Sequence, residues 1–272
     1  MHRCTPGRFF NAGSLVEPAP QFDAAIRITG DGEWPAIGPF LSLLTNFKAL
    51  GWKENVDISS FPYDWRYGPE KWTQTGSEFD RLKSAIENLS RRNGGGPVVV
   101  VTVSLGAPLL TLFLRTWVSA AWRREFVARH VSMSGVYGGS TLLLGMALGA
   151  DANLLPAPLD GYRVGIGRTA RTFSSILWLA TGAPSLPFWN SSIVAETPGR
   201  KYRPSELGAF LRNVTFVEGP SATFLARVVD GYVGNPGRYD ALAMEPDYDV
   251  DCLFGYDVLS WNPGGDNFKL LP

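Results

Sequence analysis

The stretch V98VVVTVSLGAPLLTLFLRTW117 constrains this chain more than any other. Its first six residues are all β-branched, which stiffens χ1 and favours an extended backbone. They are apolar toward both faces of any strand they form, so such a strand must be covered on both sides, as in a parallel sheet between helices. Upstream, N93GGGP97 breaks the preceding structure. Downstream, Ser104-Leu105-Gly106 leads into a leucine-rich segment at 107–118 that reads as a helix, with Pro108 in its first turn, where a missing N–H is tolerated.

Other segments repeat this alternation. A24AIRIT29 reads as a short strand, and G30DGEWPAIG38 as a turn-rich loop. Phe40, Leu43, Leu44 and Phe47 fall at helical spacing and Gly51 stops that helix. V56DISSF61 reads as a strand ending at P62YDWR66. Phe79, Leu82, Ile86 and Leu89 mark one face of a further helix. R129HVSMSGVYGG139 and D249VDCLFGYD257 read as strands, with His130 at the start of the first. The expected fold is therefore α/β, a mostly parallel sheet with helices on both faces.

Organisation follows from the same pattern. Residues 1–23 read as irregular, 24–140 as the α/β core, 141–205 as an inserted cap or lid, and 206–272 as a return to the core. In the cap, Trp178, Phe188 and Trp189 are expected to contact acyl chains or to pack on the sheet, the second role suiting most of them. P204SELGAFLRN213 reads as a helix capped by Ser205.

Composition narrows the chemistry. The 25 basic and 25 acidic residues balance, which gives no electrostatic basis for nucleic-acid binding. The longest apolar run, T141LLLGMALGA150, falls short of the roughly 20 residues of a spanning helix. M1HRCTPGRFFN11 has no apolar centre of a signal peptide. Cys4 and Cys252 lack metal-site spacing, and no metal or cofactor is expected. Triplets at Asn88, Asn190 and Asn213 permit glycosylation in a secretory lumen.

Two readings of Ser104 stand side by side. In one, Thr102-Val103-Ser104-Leu105-Gly106 is a nucleophile elbow, a sharp strand-to-helix turn presenting the hydroxyl at the sheet's C-terminal edge. The backbone N–H of Leu105 then faces a developing oxyanion, aided by the helix dipole. In the other, Ser104 only caps a helix after a buried strand. The elbow motif's first glycine is replaced by Thr102, whose side chain is expected to strain the turn by about 1–3 kcal/mol.

The segments P62YDWR66, T102VSLGAPLL110, S132MSGVYGGS140 and V250DCLFGYD257, in this order, resemble the lecithin:cholesterol acyltransferase family, which includes lysosomal phospholipases and phospholipid:diacylglycerol acyltransferases. The resemblance runs from about Ala24 to Tyr256. It implies an α/β-hydrolase fold with a lid and a ping-pong mechanism in which a serine takes the acyl chain of a phospholipid or other lipid ester and passes it to a sterol, another alcohol or water. On the matching positions Ser104 is the nucleophile and Leu105 an oxyanion donor. Asp64, Trp65, Arg66 and Gly106 support the site; for the first three a structural ion pair at a strand end is an equal alternative.

The resemblance also implies what this sequence lacks. The family's first strand and its Pro-Gly oxyanion loop have no counterpart, and its catalytic Asp and His follow the strand at 249–257. The sheet is thus expected to be incomplete at both ends, with unpaired apolar edges. Asp257 is a weak acid candidate with no histidine after it. His130 lies at the wrong end of its strand, roughly 16 Å from the edge where catalytic groups gather, and His2 sits in the irregular tail. Cys252 is expected to be a buried free thiol. The implied function is lipid O-acyl transfer or phospholipid hydrolysis, inactive in the 272 residues alone; the alternative is a lipid- or partner-binding pseudoenzyme. Substrates would lie at a membrane or lipoprotein surface. The family works in secreted, lysosomal or endoplasmic-reticulum settings, and no address in the sequence chooses among them.

Overall fold

The β-branched run forms the strand that its composition requires. In the computed structural model, β1 (Val98–Val103) pairs in parallel with β2 (Val127–Met133). β5 (Val250–Leu253) and β6 (Phe268–Leu270) extend the sheet, in parallel, to the order β1-β2-β5-β6. The structure describes residues 39–140, 143–145, 173–180, 191–213, 220–233, 250–253 and 268–270. β1 is the edge strand among them, and Val99 is 53% exposed there. β6 was not foreseen: F268KL270 is three residues long, too short to show a period.

The chain divides into two units, Met1–Asp64 and Trp65–Pro272. In the first, α1 (Pro39–Ala49) carries Lys48 in its last turn and ends at Gly51, whose φ of +92° is one glycine adopts freely. V56DISSF61 does not form the expected strand. Asp57 turns back so that its carboxylate accepts the Lys53 N–H at 2.7 Å, and Asn55 takes φ +60°, leaving a turn with one bridge between Glu54 and Ile58. Local side-chain capping outcompetes the short apolar pattern. The segment A24AIRIT29 lies outside the described residues.

In the second unit, α2 (Pro69–Trp72) is a single turn with proline at its start, and α3 (Glu78–Arg92) has Glu78 and Asp80 in its first turn and Arg91 and Arg92 in its last. That charge order complements the helix dipole. Gly94 and Gly95, at φ +76° and +81°, end it before β1. Next come α4 (Gly106–Thr116) and α5 (Ala120–Phe126); the Ser119 hydroxyl caps α5 by accepting the Trp122 N–H at 3.1 Å. α3, α4 and α5 meet through rings: Phe79 stands edge-on to Phe113 at 5.4 Å, and Phe113 edge-on to Trp122 at 5.7 Å. Trp72, Phe79 and Phe113 are fully buried.

Beyond β2, α6 (Ser174–Ala180) lies in the segment read as a cap. Trp178 is 6% exposed and packs edge-on against Trp72 at 5.5 Å, so it serves the core. Phe188 and Trp189 lie outside the described residues. The hairpin of β3 (Ala195–Thr197) and β4 (Arg200–Tyr202) leads through a 3₁₀ turn at Pro204–Glu206 into α7 (Leu207–Asn213), which packs on α8 (Pro220–Val233). Ser205 is not the cap. The Glu206 carboxylate reaches back to the Arg203 N–H at 3.1 Å, with Pro204 as first helical residue.

Candidate active site

At Val103 the strand stops and the backbone turns sharply. Ser104 has φ +51°, a conformation uncommon for any residue but glycine, and its side chain is exposed. Its N–H donates to the Met133 carbonyl at 3.0 Å, one last rung of the β1–β2 ladder. Its carbonyl accepts the Ala107 N–H at 3.1 Å, which closes the turn into α4. Leu105 is already helical (φ −54°, ψ −30°), and its N–H donates to no described group. A hydroxyl and an N–H without an acceptor among the described residues thus stand together at the positive end of a helix, where developing negative charge is favoured.

The strain falls at Ser104, not at Thr102. Thr102 is a regular strand residue in register with Ser132. Nor does steric crowding demand glycine at 106: a Cβ there would meet the Thr102 Cβ at an ordinary 3.5 Å. The Thr102 side chain turns inward, its Oγ1 lying 2.8 Å from Nε2 of His130. Either the hydroxyl or Nε2–H donates in this pair, and the tautomer decides which.

His130 occupies the middle of β2, in register with Val100, and has no solvent exposure. This corrects its placement at the strand start. Its Nδ1 has no partner among the described residues. Desolvation by burial lowers its pKa from 6.5 to about 3. The ring is therefore neutral and sits beneath the elbow, engaged with Thr102. It does not stand beside the Ser104 hydroxyl as a base would.

The end of β2 mirrors the end of β1. Ser134, exposed, has φ +49°. Gly135 follows and is locked in place: a Cβ there would lie 2.5 Å from the Ser132 Oγ, 2.7 Å from the Tyr137 ring and 2.8 Å from the Ala107 Cβ. Ala107 belongs to α4, so the two turns are packed against each other. Sequence reasoning passed over Ser134. The available signal was a serine, with glycine next, at the end of a strand beside the elbow.

Trp65 and Arg66 are anchored to the segment around α6. Trp65, 52% exposed, stands edge-on to Phe173 at 5.1 Å, and the Arg66 carbonyl accepts the Ser175 N–H at 3.4 Å. Asp64, half-buried, closes the first unit. Asp257, His2 and Cys4 lie outside the described residues. Cys252 stands in β5, paired with Ser132 and Leu270.

A second polar cluster escaped the sequence altogether. Glu70 accepts the Ser174 hydroxyl on Oε1 and the Tyr232 hydroxyl on Oε2, both at 2.5 Å, while the Ser174 Oγ accepts the Gly68 N–H at 2.8 Å. One carboxylate thereby joins α2, α6 and α8. Glu70 and Tyr232 are 162 residues apart, so no local pattern announces the cluster.

Residues 33–182 match the family model described as lecithin:cholesterol acyltransferase. A rice protein named lecithin-cholesterol acyltransferase-like 1 is 31% identical over 214 residues, covering 77% of this chain and 45% of that protein. Its Arabidopsis thaliana namesake is 27% identical, covering 80% and 49%. Human phosphatidylcholine-sterol acyltransferase is 24% identical, covering 90% and 52%. The chain spans about half the length of the curated relatives it matches.

Proposed function

Because the chain belongs to the lecithin:cholesterol acyltransferase family, we propose that it carries the nucleophile elbow of a serine-dependent site for lipid acyl esters. The observation that supports this best is Ser104 itself: an exposed hydroxyl at φ +51° between a parallel strand and a helix. A capping serine has no need of that conformation, which glycine adopts without strain. The family implies an α/β-hydrolase fold. The reading extends this to a core over 24–140, a cap over 141–205 and a return to the core over 206–272.

In this reading the Ser104 Oγ attacks the ester carbonyl of a phospholipid or similar lipid. The oxyanion that forms is met by the Leu105 N–H and the start of α4, whose first residue is Gly106. Collapse of the tetrahedral species expels the lyso-lipid alcohol and leaves an acyl-serine, which a sterol, another alcohol or water then takes up. Trp65 and Arg66 act at one remove, as supports of the site. The Ser104 proton needs an acceptor. The family pattern places the triad Asp and His after the strand at 249–257, and Asp257, at the end of that segment, is the acid candidate of this reading. His130 is unsuited, being neutral, buried and bound to Thr102.

That last observation favours a second reading, a lipid- or partner-binding protein that performs no turnover. The two separate in one experiment on the purified chain. An alkyl fluorophosphonate, followed by intact mass, should add slowly and only where Ser104 is present, because oxyanion stabilisation persists without a base. Equal labelling of the Ser104→Ala variant would refute the nucleophile. Phosphatidylcholine vesicles should be hydrolysed no faster than by Ser104→Ala; strong Ser104-dependent turnover would eliminate the pseudoenzyme.

A further inference from the structure

We infer that Ser134 is a second hydroxyl of the same acyl-ester site, donating a hydrogen bond to the ester or its oxyanion beside the Leu105 N–H. This rests on Ser104 being the nucleophile, and assigns a role to a residue that neither the elbow motif nor the family resemblance singles out.

Three observations place it there. The final ladder pair of β1 and β2 is Val103↔Met133, and the Ser104 N–H still bonds to the Met133 carbonyl at 3.0 Å. Ser134 is the residue immediately after, so it leaves the sheet beside Ser104 at the ~4.8 Å spacing of neighbouring strands. Second, both serines are exposed at the C-terminal ends of adjacent parallel strands, the edge where α/β proteins gather their ligands. Third, the two turns are fixed relative to one another, since Gly135 fits against Ala107 and Ser132 with no room for a Cβ. Two hydroxyls held at a constant separation suit one small, oxygen-rich group.

The backbone supplies the argument against a passive turn. At φ +49° a glycine would be less strained than serine. The strain of a non-glycine residue in this region concentrates at functional sites. Among the described residues Asn55 shares this conformation, within its turn over 53–58.

The test compares wild type, Ser134→Gly and Ser134→Ala by the rate of alkyl fluorophosphonate addition at Ser104, with Ser104→Ala as the blank. Loss of one oxyanion donor predicts a rate at least tenfold lower in both Ser134 variants. Ser134→Gly should at the same time melt about 2 °C higher, as left-handed strain is released. A slower reaction in a more stable protein is not what a structural role gives. Labelling by both variants at the wild-type rate overturns the assignment while leaving Ser104 intact. Absence of labelling in wild type above the blank removes the nucleophile and this inference together.

Discussion

Acid should loosen this protein through one buried ring. His130 has no solvent exposure, and its only described polar partner is the Thr102 hydroxyl at 2.8 Å. Burial lowers its pKa from 6.5 in the unfolded reference to about 3 in the fold. As pH falls, the unfolded chain therefore binds this proton first. The stability held above pH 6.5 is lost progressively between 6.5 and 3. At pH 5 the loss is about 2 kcal/mol, and below pH 3 it approaches about 5 kcal/mol. The comparison is a denaturant titration at pH 7 and pH 5, on wild type and on a Thr102→Val/His130→Leu double variant. Removing both partners leaves neither stranded. The carboxylates common to both proteins cancel, so wild type should lose about 2 kcal/mol more than the double variant. In carbon–proton spectra the His130 imidazole should not shift between pH 7 and 5. A midpoint near 6.5 in the folded protein, or equal losses in the two proteins, would refute the argument.

Two glycines with crowded Cβ positions should respond differently to alanine. At Gly135 the obstacles are a ring, a helix Cβ and a buried hydroxyl, so Gly135→Ala should cost about 2 kcal/mol or more and loosen the Ser104 turn, read by amide exchange at 104–107. At Gly208 the obstacle is the Asp230 carboxylate, an exposed group paired with Arg212, which can swing away; melting should place the cost of Gly208→Ala under about 1 kcal/mol. Tyr232→Phe should cost about 1.5–3 kcal/mol, the value of a hydrogen bond to a charged group. In a double-mutant cycle with Glu70→Gln the pair should depart from additivity by more than about 0.5 kcal/mol.

What the sequence revealed was whatever one strand or one helix decides alone. Six β-branched residues can form little but a covered strand, and serine, glycine and a leucine stripe behind it define a turn into a helix. The depth of His130 was illegible because burial depends on where β2 sits in the ladder, which no periodicity encodes. Thr102 looked like strain for the same reason: its partner is 28 residues away on another strand. The segment 56–61 failed because Asp57 captured the backbone locally, and Ser205 because Glu206 was the better-placed group. Gly135 shows the general limit, since its identity is fixed by three residues that only the tertiary fold assembles.

The rings that join these helices form an unbroken series: Trp178, Trp72, Phe79, Phe113, Trp122 and Phe126, each centroid 5.2–6.5 Å from the next. Coupled chromophores in a fixed chiral arrangement make the near-ultraviolet circular dichroism of this chain an intrinsic optical gauge. It will register the unseating of any one helix while the far-ultraviolet signal still reports full helicity.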